Sequence, residues 1–168
     1  AALDIQLHKL HLNLQIPKGE SLEAVARAAR YEAFSTILGT GDVLLTAHHA
    51  DDQVETVLLQ LLRGAGVSGL AGMPLIKPWH QGWLARPLLP FSRLELEQYA
   101  VDKGLHWMED ASNQDVRFSR NLLRQRVVPE LKVRWPGLLK TIGRSAGHCA
   151  SAARLVDELA EADFSICL

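Results

Sequence analysis

The segment Thr46-Ala-His48-His49-Ala-Asp51-Asp52-Gln-Val-Glu55-Thr56 concentrates the residue types that acid–base or metal chemistry requires. Asp52 and Glu55 are three residues apart, a spacing that puts both carboxylates on one face of a first helical turn. Acidic residues at a helix start also complement the helix dipole without doing any chemistry. Two imidazoles immediately upstream, His48 and His49, add a second function to that turn. Histidines and carboxylates converging at the end of a strand can polarise a nucleophile or hold Mg²⁺. A second segment, Arg63-Gly64-Ala-Gly66, joins a guanidinium to a glycine-rich loop whose backbone can approach a phosphate closely. Its simpler reading is a helix end, with Arg63 complementing the dipole and Gly64 as the cap.

A third segment is basic. Arg117, Arg120 and Arg124 recur at helical steps, and Lys132, Arg134, Lys140 and Arg144 extend the positive character, opposed by Glu130 alone until Asp157. In a chain of net charge -1 such clustering marks a phosphate-binding surface. Guanidinium groups suit bidentate phosphate contacts, which favours that reading over a solvated basic face. His8, His11, His80, His106 and His148 show no metal-ligand spacing. Trp79, Trp83, Trp107 and Trp135 read as packing residues, although Trp79 and Trp83 flank an exposed turn.

The elements that must position these groups follow from periodicity. Leu3, Ile5 and Leu7, then Leu10, Leu12 and Leu14, alternate as in a half-buried strand with a bulge near Lys9. Pro17, Lys18 and Gly19 break it, Ser21 caps a helix with Glu23 near its start, and that helix runs to about Leu38 before Gly39. Asp42 to Ala47 is nearly continuous in apolar character, as expected of a strand buried on both faces of a parallel sheet. A helix then begins near Asp51 and carries Val54, Val57, Leu58, Leu61 and Leu62 on its inner face. The segment after a strand's carboxyl end is where ligands sit in open α/β sheets, so the His48–Glu55 block lies at the expected place.

Short strands are expected over Leu75–Lys77 and Trp83–Arg86, a helix capped by Ser92 and ended by Gly104, and a brief strand over Leu105–Met108. From Phe118 the pattern is helical, interrupted at Pro129 and Pro136, with a last helix from about Leu138 to Phe164. Alternating strands and helices predict an α/β fold with right-handed crossovers.

The 168 residues are 48% hydrophobic and 22% charged, ordinary for a globular chain. No apolar run could span a bilayer, no signal peptide precedes the first strand-like segment, and Cys149 and Cys167 cannot form a disulfide framework. A cytoplasmic protein is the expectation. The start Ala-Ala-Leu-Asp-Ile, apolar and without methionine, reads as an excerpt from a longer polypeptide.

Five blocks occur in order: His48-His49-Ala-Asp51-Asp52-Gln-Val-Glu55-Thr56, Arg63-Gly64-Ala-Gly66, Arg86-Pro87-Leu88-Leu89, Glu109-Asp110-Ala-Ser112-Asn113 and Arg120-Asn121-Leu-Leu-Arg124. Together they resemble the tRNA(Ile)-lysidine synthetase family, over about three quarters of the chain, from Ser21 to about Arg144. The resemblance implies a Rossmann-like parallel sheet of the PP-loop ATPase type followed by a helical segment. The family's phosphate-gripping Ser-Gly-Gly-x-Asp-Ser motif is not in this sequence, so the sheet is expected to be incomplete, without its first strand and phosphate loop. By the same resemblance residues 1–128 are the remainder of the catalytic domain, and 129–168 a helical linker and the start of a following domain.

Family members adenylate carbon 2 of the wobble cytidine of a minor tRNA(Ile), which has a CAU anticodon, and L-lysine then displaces AMP. The implied partners are that tRNA, L-lysine and ATP with Mg²⁺; a homodimer is compatible, a membrane is not expected. Carried over by position, His48, His49, Asp52 and Glu55 form the reactive centre, with Asp52 and Glu55 holding Mg²⁺ or activating the amine. Arg63 and Gly64 fall on nucleotide phosphate, and Arg120, Asn121 and Arg124 on RNA or nucleotide, with Arg117 joined to them as an RNA contact by its helical spacing. Rival readings are another PP-loop tRNA-modifying enzyme, such as a sulfur-inserting one needing paired cysteines, a metal-dependent phosphohydrolase, or a non-catalytic tRNA-binding fragment.

Overall fold

The computed structural model describes residues 5, 7–17, 19, 22–108 and 115–167. In chain order the elements are helix α1 (Leu22–Ser35), strand β1 (Val43–Leu45), α2 (Ala50–Leu62), α3 (Val67–Leu70), β2 (Ile76–Trp79) and β3 (Gly82–Ala85), followed by α4 (Arg93–Asp102) and α5 (Ser119–Leu122). A π-helical turn (Leu123–Val127) leads into α6 (Val128–Arg134), and α7 (Leu138–Ile166) closes the series. The strands form one sheet in the order β1-β3-β2. The Trp83 N–H donates to Asp42 O and the Thr46 N–H to Ala85 O, the slanted pattern of a parallel pair, while β2 and β3 form a hairpin closed by Arg86 N–H to Leu75 O.

The chain divides into two compact units, Ala1–Leu44 with Lys77–Leu84, and Leu45–Ile76 with Ala85–Leu168. In the first, Tyr31 of α1 meets Trp79 of β2 edge-on, with ring centroids 5.7 Å apart. Gly82 is obligatory there: a β-carbon at this position would collide with the Asp42 carbonyl oxygen. In the second unit Val54, Val128 and Leu138 form a core, flanked by Leu58, Leu131, Leu139 and Ile142. Each fully buried aliphatic side chain contributes about 1.5–3 kcal/mol, so α2, α6 and α7 are held mainly by this seam.

Several expectations change. The alternating residues Ile5, Leu7, Leu10 and Leu12 are exposed and belong to no strand. Alternation makes a strand only where a neighbour supplies ladder partners, and none of the three described strands does so. Leu3, Lys18, Ser21 and the Glu109–Asn113 block lie outside the described residues, as does the side chain of Glu23. Helix α1 stops at Ser35, three residues before Leu38. Val43 and Leu45 are 49% and 64% exposed, so β1 is not buried on both faces; the described residues lay no layer over those two side chains. On α2 the buried face covers the first half only, and Leu61 and Leu62 are exposed. Leu105–Met108 is irregular, with no ladder partner among the described residues.

Pro129 does not interrupt its helix but falls in the first turn of α6, where its missing N–H costs nothing. The π-helical turn directly before it accommodates the ring, which would otherwise press on the Gln125 carbonyl. Pro136 does separate α6 from α7. Ser92 caps α4 as expected, in a capping box with Glu95, and Gly104 ends it at φ 61°.

Candidate functional site

The His48–Glu55 block opens α2, in the second unit, directly after β1. His49 is the N-cap residue; its own N–H donates to Asp52 Oδ2 at 3.0 Å, so the third residue of the helix reaches back over its start. His48 Nδ1 lies 2.9 Å from Thr46 Oγ1, which fixes the ring to the end of the strand. His49 Nε2 is 3.4 Å from Asp52 Oδ2, whereas His49 Nδ1 is buried and has no hydrogen-bond partner.

Glu55 is 1% exposed, and its charge is met by two arginines from α5 and the π-helical turn. Arg120 Nε donates to Glu55 Oε2 at 3.0 Å, and Arg124 donates from Nε to Oε1 at 2.7 Å and from Nη2 to Oε2 at 2.9 Å. Arg124 Nη2 also reaches Asp52 Oδ1 at 3.0 Å, and Arg120 Nη2 reaches Thr56 Oγ1 at 2.8 Å. A carboxylate taken from water needs such charge-assisted bonds to stay ionised without a large penalty. Burial disfavours the Arg124 charge, but its hydrogen bonds and attraction to Glu55, with Asp52 and Asp51 nearby, hold its pKa above the ordinary value.

Asp51 performs a separate linking task. Its Oδ2 accepts from the N–H of Arg93, the first residue of α4, at 2.8 Å, and its Oδ1 accepts from Lys132 Nζ of α6 at 2.5 Å. Burial pushes its carboxyl up, but the Arg93 and Lys132 hydrogen bonds, the Lys132 charge and His49 outweigh this and leave the pKa lowered. Asp51, Glu55, Arg93, Arg124 and Lys132 border a cavity of about 330 Å³. The glycine-rich loop is tied to the same helix. Gln53 exchanges hydrogen bonds with Met73 N–H and O at 2.8 and 3.0 Å, and Arg86 Nη1 donates to Pro74 O at 2.8 Å.

His48, His49, Asp52 and Glu55 are thus brought together with Arg120 and Arg124. Arg63 and Gly64 are not: they sit at the far end of α2, about 16 Å along the axis from Asp52 at 1.5 Å per residue. Arg63 is the exposed C-cap residue and Gly64 takes φ 74°, the geometry of a helix stop.

The arginine stripe is also corrected. Arg117 precedes α5 and pairs with Asp115, Nη2 to Oδ2 at 2.7 Å, with its side chain 88% exposed. That bond lowers the Asp115 pKa and raises that of Arg117. Arg120 and Arg124 turn inward to α2, because two buried or half-buried carboxylates attract them more strongly than solvent does. Asn121 is buried and donates to Asp115 O at 2.9 Å. Of the two carboxylates expected to seat Mg²⁺, Glu55 has both oxygens and Asp52 one engaged by Arg120 and Arg124, and among the described residues there is no group of three or more His, Cys, Asp or Glu that could hold a metal ion.

The parts played by Asp51, Thr56, Arg93 and Lys132 are not apparent from the sequence blocks. A faint signal exists in α2, where Asp52, Glu55 and Thr56 recur at steps of three and one beside an apolar stripe, as on a polar face turned toward protein.

Strand end, acidic helix start and tied glycine-rich loop are those of an α/β domain of the nucleotide-binding type, and the comparisons agree. A family described as "PP-loop domain" matches residues 1–131, and the chain belongs to that family. Within it the chain is similar to tRNA(Ile)-lysidine synthases: 51% identical over 160 residues to that of Methylococcus capsulatus, covering 95% of this chain and 36% of the relative. It is 49% identical over 164 residues to that of Coxiella burnetii, covering 98% and 36%, and 53% identical over 152 residues to that of Pseudomonas syringae pv. tomato, covering 90% and 34%. The chain spans about a third of the length of the curated relatives it matches. Among the described residues no helix is long and apolar enough to cross a membrane.

Proposed function

We propose that this chain supplies the acidic half of the active site of a tRNA(Ile)-lysidine synthase. ATP adenylates carbon 2 of the wobble cytidine of tRNA(Ile) with its CAU anticodon, releasing pyrophosphate. L-lysine then attacks that carbon, a carbon–nitrogen bond forms, AMP leaves, and the amine gives up a proton.

The observation that carries the reading is the acidic first turn of α2 at the strand end, where Asp51 and Glu55 border a cavity and Asp52 and Glu55 seat the Arg124 guanidinium. An arriving lysine brings an ammonium of the same charge as the Arg124 guanidinium. Partial exchange of the two would place the amine against Asp52, the less buried carboxylate, which is suited to take its proton. Glu55 stays with Arg120 and holds the turn in place. His49, whose Nε2 lies 3.4 Å from Asp52 Oδ2, is placed to relay that proton. Leu131, Leu138, Leu139 and Ile142 pack into the core around Val54, so α6 and the start of α7 belong to the second unit; the largely exposed remainder of α7 is what is proposed as a linker toward a following domain.

Two assignments carried by position are not kept. Arg63 and Gly64 are given no phosphate contact, and no step is routed through Mg²⁺ on Glu55. Nucleotide phosphate binding is assigned to the glycine-rich phosphate motif that the family uses and these 168 residues lack. The test is lysidine formation by the full-length enzyme with Asp52→Asn, for which the expected loss is about 10²-fold or more in turnover.

A further inference from the structure

In the first unit an aromatic and basic cluster lies outside the candidate site. Arg27, Arg30, Tyr31 and Phe34 recur at steps of three, one and three, so they share one face of α1. The Arg27 guanidinium lies over the Tyr31 ring, 5.3 Å from its centroid. Tyr31 meets Phe34 and Trp79 edge-on, and Trp79 meets His80 edge-on at 4.5 Å. Lys77 shares the Trp79 face of β2 by strand alternation. Arg27, Arg30 and Lys77 therefore share the faces of α1 and β2 that carry a short chain of rings ending in the exposed His80.

The hairpin tip is rigidly presented. Gly41 N–H donates to Gln81 O at 2.9 Å, Thr40 Oγ1 donates to Gln81 Oε1 at 3.1 Å, and Trp83 N–H donates to Asp42 O at 2.8 Å. His80 takes φ 51°, the one positive value found at a non-glycine position among the described residues. A positive φ is uncommon for a residue with a side chain, although histidine is among the few that enter this region more readily; outliers of this kind gather at binding sites.

We propose that this tip receives an unpaired base of an RNA loop, stacked on the His80 ring, with flanking phosphates held by Arg27, Arg30 and Lys77. Rings with exposed faces bind unpaired bases and cations bind the backbone, the combination by which single strands are recognised. A protein partner fits less well, because the rings meet edge-on among charges and form no continuous apolar patch. The proposed tRNA substrate enters only through the choice of RNA as probe. Turnover of the full-length enzyme and RNA affinity at this tip are separate readouts, so either reading can fail alone.

The experiment measures binding of the chain to an RNA stem–loop with an unpaired loop, and to a fully paired duplex of equal length, at two salt concentrations. The stem–loop should bind more tightly than the duplex and quench tryptophan fluorescence. His80→Gly should weaken stem–loop binding roughly five- to a hundred-fold, the worth of one stacked base, while the melting temperature holds or rises. His80→Asn, which tolerates the same backbone but carries no ring, should weaken it equally. Arg27→Ala should lower the log–log salt slope by about 0.7–0.9. Unchanged stem–loop affinity in both His80 variants overturns the proposal, and so does equal affinity for stem–loop and duplex. Self-association that the His80 variants abolish, with RNA affinity untouched, would assign the tip to protein contact and overturn it as well.

Discussion

Replacing Glu55 by glutamine keeps the side chain's shape and removes its charge. The carboxylate is 1% exposed and accepts three bonds from two guanidinium groups, whose own side chains are 22% and 25% exposed. The amide can accept at one oxygen only, and its NH₂ group faces a donor, so at least one guanidinium N–H loses its acceptor and both arginines lose the buried charge that balances them. Breaking a buried ion pair by removing one member costs about 3–5 kcal/mol. The partial exposure of both arginines lets water relieve some of this, which puts the expected loss at about 3 kcal/mol, the lower end of that range. For a chain of this size each kcal/mol lowers the melting temperature by about 2–4 °C, so Glu55→Gln should melt about 6–12 °C below the parent. Thermal denaturation followed by circular dichroism measures it. The control is Arg154→Ala, which removes an exposed pair with Glu158 at 3.5 Å and should change stability by no more than about 0.5 kcal/mol. A Glu55→Gln protein melting within a degree of the parent would show that the double arginine clamp does not hold α2 to α5, and the reasoning would fail.

Three further outcomes rest on single observations. Asp51 has a lowered pKa, so its stabilising contribution is full above the unfolded value of about 3.9 and is lost as pH falls through the folded value. Melting temperature against pH should therefore show a shallower acid limb below about pH 4 in Asp51→Asn than in the parent; superimposable limbs would remove Asp51 from the network. Gly82→Ala should lower soluble yield sharply, because the added carbon must displace the Asp42 carbonyl; a folded Gly82→Ala protein with parental melting would contradict the tight approach of β1 and β3. Arg120→Glu sets a second acid against Glu55, so it should lower the melting temperature and leave the salt slope of tRNA binding unchanged; a flattened slope with intact stability would restore Arg120 to the RNA surface.

Much of this arrangement is legible in the residues themselves. The Ser92 cap, the Gly104 stop, the hairpin strands on either side of the Trp-His-Gln-Gly turn and the start of α2 after a strand are all local, written in side chains a few positions apart. The direction of long side chains is another matter. Arg117, Arg120 and Arg124 look equivalent by spacing, yet α5 begins only at Ser119, and the two arginines on the helical run find Glu55 more than sixty residues away in sequence. The same contact alters the reading of Asp52 and Glu55, which look like open metal ligands until their cationic partners are known. Leu10 and Leu12 show the other limit, because alternation announces a strand but cannot supply its neighbour. The left-handed His80 is not announced by the sequence, since histidine is only one of several residues that enter that region and most histidines do not.

The central claim is that Asp52 takes part in the chemistry of lysidine formation and does more than anchor the helix. In the structure Asp52 accepts from His49 N–H and from Arg124, so its loss should cost folding roughly 1 kcal/mol, as for a helix cap. The decisive measurement is single-turnover lysidine formation by the full-length enzyme carrying Asp52→Asn, with tRNA(Ile), L-lysine and ATP saturating and folding verified by its melting curve. The expected result is a rate reduced about 10²-fold or more in a protein that remains folded. A folded Asp52→Asn enzyme that forms lysidine at close to the parental rate would contradict it.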